Sequence, residues 1–427
     1  MKPTLKRQAF DRIEFKNFKS FQSFRIDLKE FNILVGPNNA GKSTIIAAFR
    51  VLAAALRKAR SRKAEILRGP IGLTRGHNIS LTSISIAEEN IFFNYDDSEP
   101  ASIIFTLSDG CILTLFFPEQ GVCYLVPDAN GKNVESPSQF NKYFTCSIGF
   151  VPILGPVEHN EQLYEKDAAH RALFNYQAAR NFRNIWYHFP ELFEEFRELI
   201  LQTWPGMDIQ RPVREMRESK PYLYMFCPEK RRPREIFWAG FGFQVWCQML
   251  THVVQSSERS IFLIDEPDIY LHSELQRQLL DILRNLGPDI IIATHSTEIV
   301  TEANPDEIVV VDKSKSRAKR IRNTTEVGRV FDSLGSNINP ILTQLAKTRR
   351  AVFVECKDFQ GLSRMARKAG LNRISSRADF AVVPIQGFNP EKMLNIKTGM
   401  EETLGAPVLA MTILDRDFRS EGECEKI

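Results

Sequence analysis

One short stretch constrains this chain more than any other: Gly36-Pro37-Asn38-Asn39-Ala40-Gly41-Lys42-Ser43-Thr44. It has the Gly-x-x-x-x-Gly-Lys-Ser spacing of a loop that cradles phosphate. The apolar run Phe31 to Val35 before it predicts a buried strand, and the Ala-rich stretch from Ser43 to about Lys63 predicts a helix. A loop between a strand end and a helix start turns backbone N–H groups inward and adds the positive end of the helix dipole. In that frame Lys42 reaches the β and γ phosphates of a nucleotide and Ser43 ligates Mg²⁺.

Two more apolar runs end in polar residues. Ile261-Phe262-Leu263-Ile264 delivers Asp265 and Glu266, and Ile290-Ile291-Ile292-Ala293 delivers Thr294, His295 and Ser296. Open α/β sheets bind ligands at the carboxyl ends of their strands. Asp265 is therefore expected to hold Mg²⁺ and Glu266 to orient and deprotonate an attacking water. The run to His295 is expected to lie beside the Asp265 strand, with the imidazole against the γ-phosphate or that water. By itself, an acidic or histidine strand end is most often a solvated turn; behind a phosphate loop the nucleotide reading is the stronger one.

The chain has 427 residues, 43% hydrophobic, enough for two packed cores. A formal net charge of +4 permits contact with DNA without announcing it. The seven cysteines are scattered with no metal-ligand spacing, which fits reduced thiols and no structural metal. The start, Met1 to Asp11, is charged, and no run is long enough to span a bilayer. The expectation is a cytoplasmic protein with no membrane partner.

Elsewhere, alternating apolar residues from Arg12 to Leu28 predict a β-hairpin, and Ile79 to Val126 an antiparallel sheet with turns at Asp109-Gly110 and Asn130-Gly131. Glu161 to Trp204 reads as helical with a break at Pro190, and a helical lobe is expected over 160–235. Helix Ser273 to Asn285 and strand Ile308 to Val311 complete an α/β head over 1–345.

Together these motifs resemble the ABC-type ATPase heads of the SMC, RecF and OLD (overcoming lysogenization defect) families, which include ATPases of bacterial anti-phage systems. The resemblance implies ATP with Mg²⁺. It also implies a signature segment, seen here as Trp238-Ala239-Gly240-Phe241-Gly242-Phe243-Gln244, with Ala239 where the family has Ser. Gly240 and Gly242 would contact nucleotide held by a second subunit, so the resemblance implies a homodimer or higher oligomer with ATP between heads. Gln162 is a candidate for the family's Mg²⁺-sensing glutamine or an ordinary surface residue.

Residues 346–427 restart a β-α-β-α-β order that resembles an incomplete Toprim-like module. Glu355, Asp415 and Asp417 stand at its strand ends, either as a second metal site or as solvated turns. Cys356 replaces the family's Gly, which puts nuclease activity in question. Basic runs at Lys230 to Arg234 and Lys313 to Arg322 read first as solvated surface, the second as a hairpin, and second as DNA contacts. The function expected is an ATP-hydrolysing, dimerising head that gates action on DNA or on a nuclease or effector partner, in anti-phage defence or DNA repair. The alternatives are an OLD-type ATP-dependent endonuclease and a nucleotide-regulated scaffold with little turnover.

Overall fold

The structure, a computed structural model, describes residues 8–81, 91–152, 154–172, 181–229, 232–269, 271–322, 344–345, 348–355, 358–375, 377, 379–385 and 390–413. The chain divides into two compact units, Met1–Leu334 and Gly335–Ile427.

The first unit opens with the expected hairpin, β1 (Phe10–Phe18) and β2 (Phe21–Asp27). Phe10, Ile13, Phe15, Phe18, Phe21, Phe24 and Ile26 are all buried. The three-residue step from Phe10 to Ile13 is a register shift against a neighbouring strand, and the extra residue explains why strict alternation fails there. After β3 (Phe31–Val35) the chain turns through the Gly36–Gly41 loop into α1 (Lys42–Ser61). The alanines of α1 leave little side-chain bulk, so the helix lies close against its neighbours. Next come β4 (Glu65–Gly69) and β5 (Gly72–Asn78), then β6 (Ala101–Leu107), β7 (Ile112–Phe117) and β8 (Tyr124–Asp128). They form an antiparallel sheet in the order β2-β1-β6-β7-β8-β5-β4. The β4–β5 hairpin lies outside the range the apolar alternation predicted. Its signal was the Gly69-Pro70-Ile71-Gly72 turn, with Ile66-Leu67 before it and Leu73 after it.

A short helix, α2 (Pro137–Tyr143), leads to β9 (Ile148–Phe150). The lobe follows with α3 (Lys166–Ala172), α4 (Phe182–His188) and α5 (Phe193–Thr203), broken at Pro190 as expected. The helical reading fails beyond residue 212. Residues 213–229 and 232–235 instead pair as two hairpins, β10 (Val213–Arg217) with β11 (Lys220–Tyr224) and β12 (Phe226–Glu229) with β13 (Arg232–Glu235). Pro221, Pro228 and Pro233 cannot donate to helical hydrogen bonds, and Glu218 and Ser219 make a turn with positive φ.

The chain then supplies α6 (Phe241–Gln255), β14 (Ile261–Asp265), α7 (Ser273–Arg284), β15 (Asp289–Ala293), α8 (Thr297–Glu302), β16 (Ile308–Val310) and β17 (Lys319–Arg320). The second sheet runs β17-β16-β3-β15-β14-β9, parallel except for β17 at its edge. Both its faces are covered, as a parallel sheet requires. Leu34, Ile261, Leu263, Ile291, Ala293 and Val309 point into the core shared with α1 and the antiparallel sheet. Ile33, Phe262, Ile264, Ile290, Ile292 and Ile308 point into a second core with α6, α7 and the lobe.

The second unit has β18 (Arg350–Glu355), α9 (Asp358–Lys368), α10 (Asn372–Ser375), β19 (Ala381–Ile385), α11 (Pro390–Leu404) and β20 (Leu409–Ile413). Its parallel sheet has the order β19-β18-β20. Glu355 closes β18, while Asp415 and Asp417 lie outside the described residues. Among the described residues no helix is long and apolar enough to cross a membrane.

Candidate functional site

The loop after β3 is built by close approaches. A Cβ at Gly36 would lie 2.4 Å from the Val311 carbonyl oxygen, and one at Gly41 would lie 2.3 Å from Cζ of Phe21. Gly41 also has φ 106°, and Asn39 takes φ 63°. The first hairpin thus presses an aromatic edge onto the loop, and Ser20 Oγ lies 3.2 Å from Thr44 Oγ1. Pro37, Asn38, Asn39 and Ser43 are exposed, Ala40 and Lys42 buried.

Sheet order explains how distant residues meet here. β15 is inserted between β3 and β14, beside the Asp265 strand as expected, so its end sits between loop and acids. Lys42 Nζ donates to the Gly36 and Pro37 carbonyls at 2.9 and 3.3 Å and stands 2.7 Å from His295 Nε2. With Lys42 as an ammonium donor, Nε2 presents its lone pair and the imidazole proton sits on Nδ1. The same nitrogen is 3.8 Å from Glu266 Oε1. Glu266 itself holds φ 47°, a strained conformation for a non-glycine residue, with its N–H donated to the Ala293 carbonyl at 2.8 Å.

The electrostatics follow from burial. Desolvation lowers the Lys42 pKa, opposed by Glu266, Asp265 and Asp268. His295 is also lowered, by burial first and then by the charge of Lys42. Asp265 is raised by burial, with repulsion from Glu266 adding to it and Arg50 and Lys42 opposing. Its Oδ1 is buried without a hydrogen-bond partner. An acceptor of that kind fits an oxygen-seeking cation such as Mg²⁺.

Two supporting residues, Asp268 and Gln276, had no sequence signal. Thr294 Oγ1 donates to Asp268 at 2.6 Å and accepts from the Ser296 N–H at 2.9 Å. Ser296 Oγ caps α8 and lies 2.5 Å from Gln276 Oε1. Asp268, Thr294 and Gln276 therefore fix the turn that carries His295.

The Trp238–Gln244 segment caps α6 through Gly240, whose carbonyl accepts from the N–H groups of Phe243 and Gln244. Gln244 is buried and structural: its amide accepts from Val157 N–H and donates to the Phe237 and Ala239 carbonyls. Gly240 is exposed and Gly242 half-buried at the helix start. Upstream, Arg183 is buried between Glu161 at 3.1 Å and Glu235 at 2.7 Å, tying α4 to the approach to this segment. The backbone of Gln162 is bridged to Tyr222 and accepts from Asn184.

Residues 10–200 match the family described as "AAA ATPase domain", and residues 152–301 match "AAA domain, putative AbiEii toxin, Type IV TA system". The two matches overlap and together span residues 10–301. No curated protein matches its sequence. Among solved structures, the domain is similar to an SMC head bound to the C-winged helix domain of ScpA, at 16% identity and TM-score 0.47 over 75% of this chain and 99% of that one. It is also similar to the SMC head domain from Thermotoga maritima, at 14% identity and TM-score 0.40 over 74% and 100%. A third is the recombination mediator protein RecF with ATPrS in the RecFOR pathway, at 10% identity and TM-score 0.43 over 74% and 99%.

In the first unit the basic run Lys313 to Arg322 forms the expected hairpin, β17 pairing antiparallel with β16. Arg317 pairs with Asp27, and Arg320 donates to the carbonyls of Phe31, Asp306 and Asp27 and to Asn32, so both side chains brace the sheet edge. In the other run, Lys230 and Arg231 lie outside the described residues.

Proposed function

We propose that the protein binds ATP with Mg²⁺ at the Gly36–Thr44 loop and hydrolyses it, closing two copies of the head around nucleotide. The observation that carries this reading is the convergence of Lys42, His295 and Glu266 across strands β3, β15 and β14, beside the unpartnered oxygen of Asp265. An arriving triphosphate offers Lys42 charged oxygens in place of the Gly36 and Pro37 carbonyls. Ser43 and Asp265 would hold a Mg²⁺ ion, which would supply charge neutralisation for the phosphates. Glu266 accepts a proton from water as the water oxygen bonds to the γ-phosphorus and the bond to the bridging oxygen of ADP breaks. His295, neutral and held by the Thr294–Asp268 pair, orients that water or the departing phosphate. Gly240 and Gly242 offer backbone N–H groups at an exposed helix start to nucleotide held by a second copy. The resulting closure gates action on DNA or on a nuclease or effector partner in anti-phage defence or DNA repair, and the place of action is the cytoplasm.

The test is Glu266→Gln. Phosphate release should fall about a hundredfold or more with ATP affinity retained, as for loss of a general base. ATP should then accumulate a dimer visible by light scattering. Unchanged release sinks the hydrolytic part and favours a scaffold with little turnover.

A second reading rests on the parallel β18–β19–β20 unit with Glu355 at a strand end. There the protein would be an OLD-type nuclease using Glu355, Asp415 and Asp417 for a second metal. Plasmid nicking with Mg²⁺ and ATP that Asp415→Ala abolishes would support it; absence of nicking alongside intact ATP turnover removes it.

A further inference from the structure

The β4–β5 hairpin carries large aliphatic side chains on its exposed surface. Its register pairs Ile66 with Arg75 and Arg68 with Leu73, so these four side chains share one face of the ribbon. The apolar members are nearly bare: Ile66 is 67% exposed, Leu73 82%, and Ile71 at the tip 102%. The tip is a tight turn, with only Pro70 and Ile71 between the strands. Pro70 has a fixed φ and Gly72 takes φ 118°, while Gly69 is packed so closely that a Cβ there would meet Thr74. Four basic residues, Arg62, Lys63, Arg68 and Arg75, stand against one acid, Glu65, between positions 62 and 75.

Large aliphatic side chains held in water on a two-stranded ribbon call for a partner. The arrangement discriminates among partners. Ile66 and Leu73 sit diagonally, each opposite an arginine, so the face offers no continuous apolar patch for a protein groove or for acyl chains. It offers a single apolar point at the tip with guanidinium groups behind it. That combination matches a duplex, where an apolar wedge enters a base step and cations meet the phosphate rails on either side.

We infer that the β4–β5 hairpin is a duplex-DNA contact in which Pro70 and Ile71 wedge into a base step while Arg68, with Arg62 and Lys63 at the root, neutralises phosphates. Arg75 is partly held by Glu135 at 3.0 Å and acts as the strut on that side. The hairpin also follows directly on α1, whose first turn carries Lys42 and Ser43. That helix spans about 30 Å at 1.5 Å per residue. Its far end is tied to the hairpin root by Lys58, which donates to the Asn78 carbonyl, and Ala64 N–H donates to the Glu135 carbonyl beside it at 2.9 Å. Duplex binding therefore bears on the phosphate loop through one rigid helix. This last step rests on the ATPase reading; the DNA contact does not.

The experiment uses the full chain and a duplex of about 30 base pairs carrying 2-aminopurine, long enough for several phosphate contacts. Anisotropy is read at several salt concentrations, 2-aminopurine fluorescence reports unstacking, and ATP turnover is followed with and without duplex. Ile71→Ser should weaken binding about tenfold or more and abolish the fluorescence rise, with the salt slope unchanged. Arg68→Ala should lower the salt slope by about one while keeping the fluorescence rise. Both positions are exposed and away from the nucleotide loop, so folding and turnover without DNA should match wild type. Duplex binding that neither variant alters, or no duplex binding by wild type, overturns the inference. So does a change in oligomeric mass of Ile71→Ser with DNA affinity intact, which would seat the finger on a second copy. Wild type that binds duplex through these residues but never turns over ATP would sink the nucleotide reading and leave the DNA contact standing.

Discussion

Asp265 gives the sharpest physical test of the site, because its carboxylate is costly to the free protein and useful only with a cation. Its Oδ1 is buried without a partner, and burial raises its pKa above the ordinary value of 3.8. An unsatisfied buried acceptor costs about 1–3 kcal/mol, more if charged. Asp265→Asn keeps the shape and removes the charge, and it also gives up the attraction of Arg50 and Lys42. The net gain in stability without nucleotide should be about 1–2 kcal/mol, or roughly 2–4 °C in Tm. The pH dependence has a definite sign. The folded state keeps this proton to higher pH than the unfolded chain, so wild type loses stability as pH rises from about 3.8 through the raised folded value. The gap between variant and wild type opens over that window and is complete above it. Nucleotide should reverse the order. At a hundred times its Kd, Mg²⁺-ATP stabilises wild type by about 2.7 kcal/mol, while the variant should gain little of the magnesium-dependent part. Thermal unfolding at pH 4.5 and 7, with and without Mg²⁺-ATP, measures all of this. A variant less stable than wild type without nucleotide, or one that gains as much from Mg²⁺, would refute both the electrostatic argument and the proposed cation role.

Three further outcomes follow from packing and burial. Gly41→Ala should cost about 1–3 kcal/mol in urea unfolding and weaken ATP binding, since its Cβ meets Phe21 and its φ is left-handed; Phe21→Ala should then cost less in the Gly41→Ala background than in wild type, and a neutral Gly41→Ala would contradict the steric account. Arg183→Met should destabilise by about 3–5 kcal/mol, because it leaves Glu161 buried and unpaired. Glu161→Gln in the same chain should recover part of that loss, and simple additivity of the two would argue against the pair. His252 is fully buried and its pKa is pushed down to about 3, so the unfolded chain binds the extra proton between pH 6.5 and 3 and stability falls as pH drops through that range. The slope should approach about 1.4 kcal/mol per pH unit, and His252→Leu should flatten it in unfolding curves at pH 7 and 5.

Much of this was legible in contiguous residues. The phosphate loop, the Asp265–Glu266 strand end and the His295 strand end each lie within a short segment, and the apolar run before each belongs to a strand buried on both faces. The first hairpin was legible for the same reason, its single bulge apart. Residues 213–235 misled because their alternating charges carry little periodicity, and prolines and a positive-φ turn decided for strands. The β4–β5 hairpin was invisible to apolar alternation because its apolar side chains face water.

What the sequence determined alone is therefore the local chemistry: which backbone can turn around phosphate, and which strand ends carry acids or imidazole. Tertiary structure decided which of these meet. Lys42 touches His295 only because β15 is inserted between β3 and β14, and Asp268 steadies Thr294 only because β14 and β15 end side by side. Arg183 joins Glu161 and Glu235 across the lobe in the same way. Such contacts are set by strand order and by the covering of both sheet faces, which no spacing along the chain encodes.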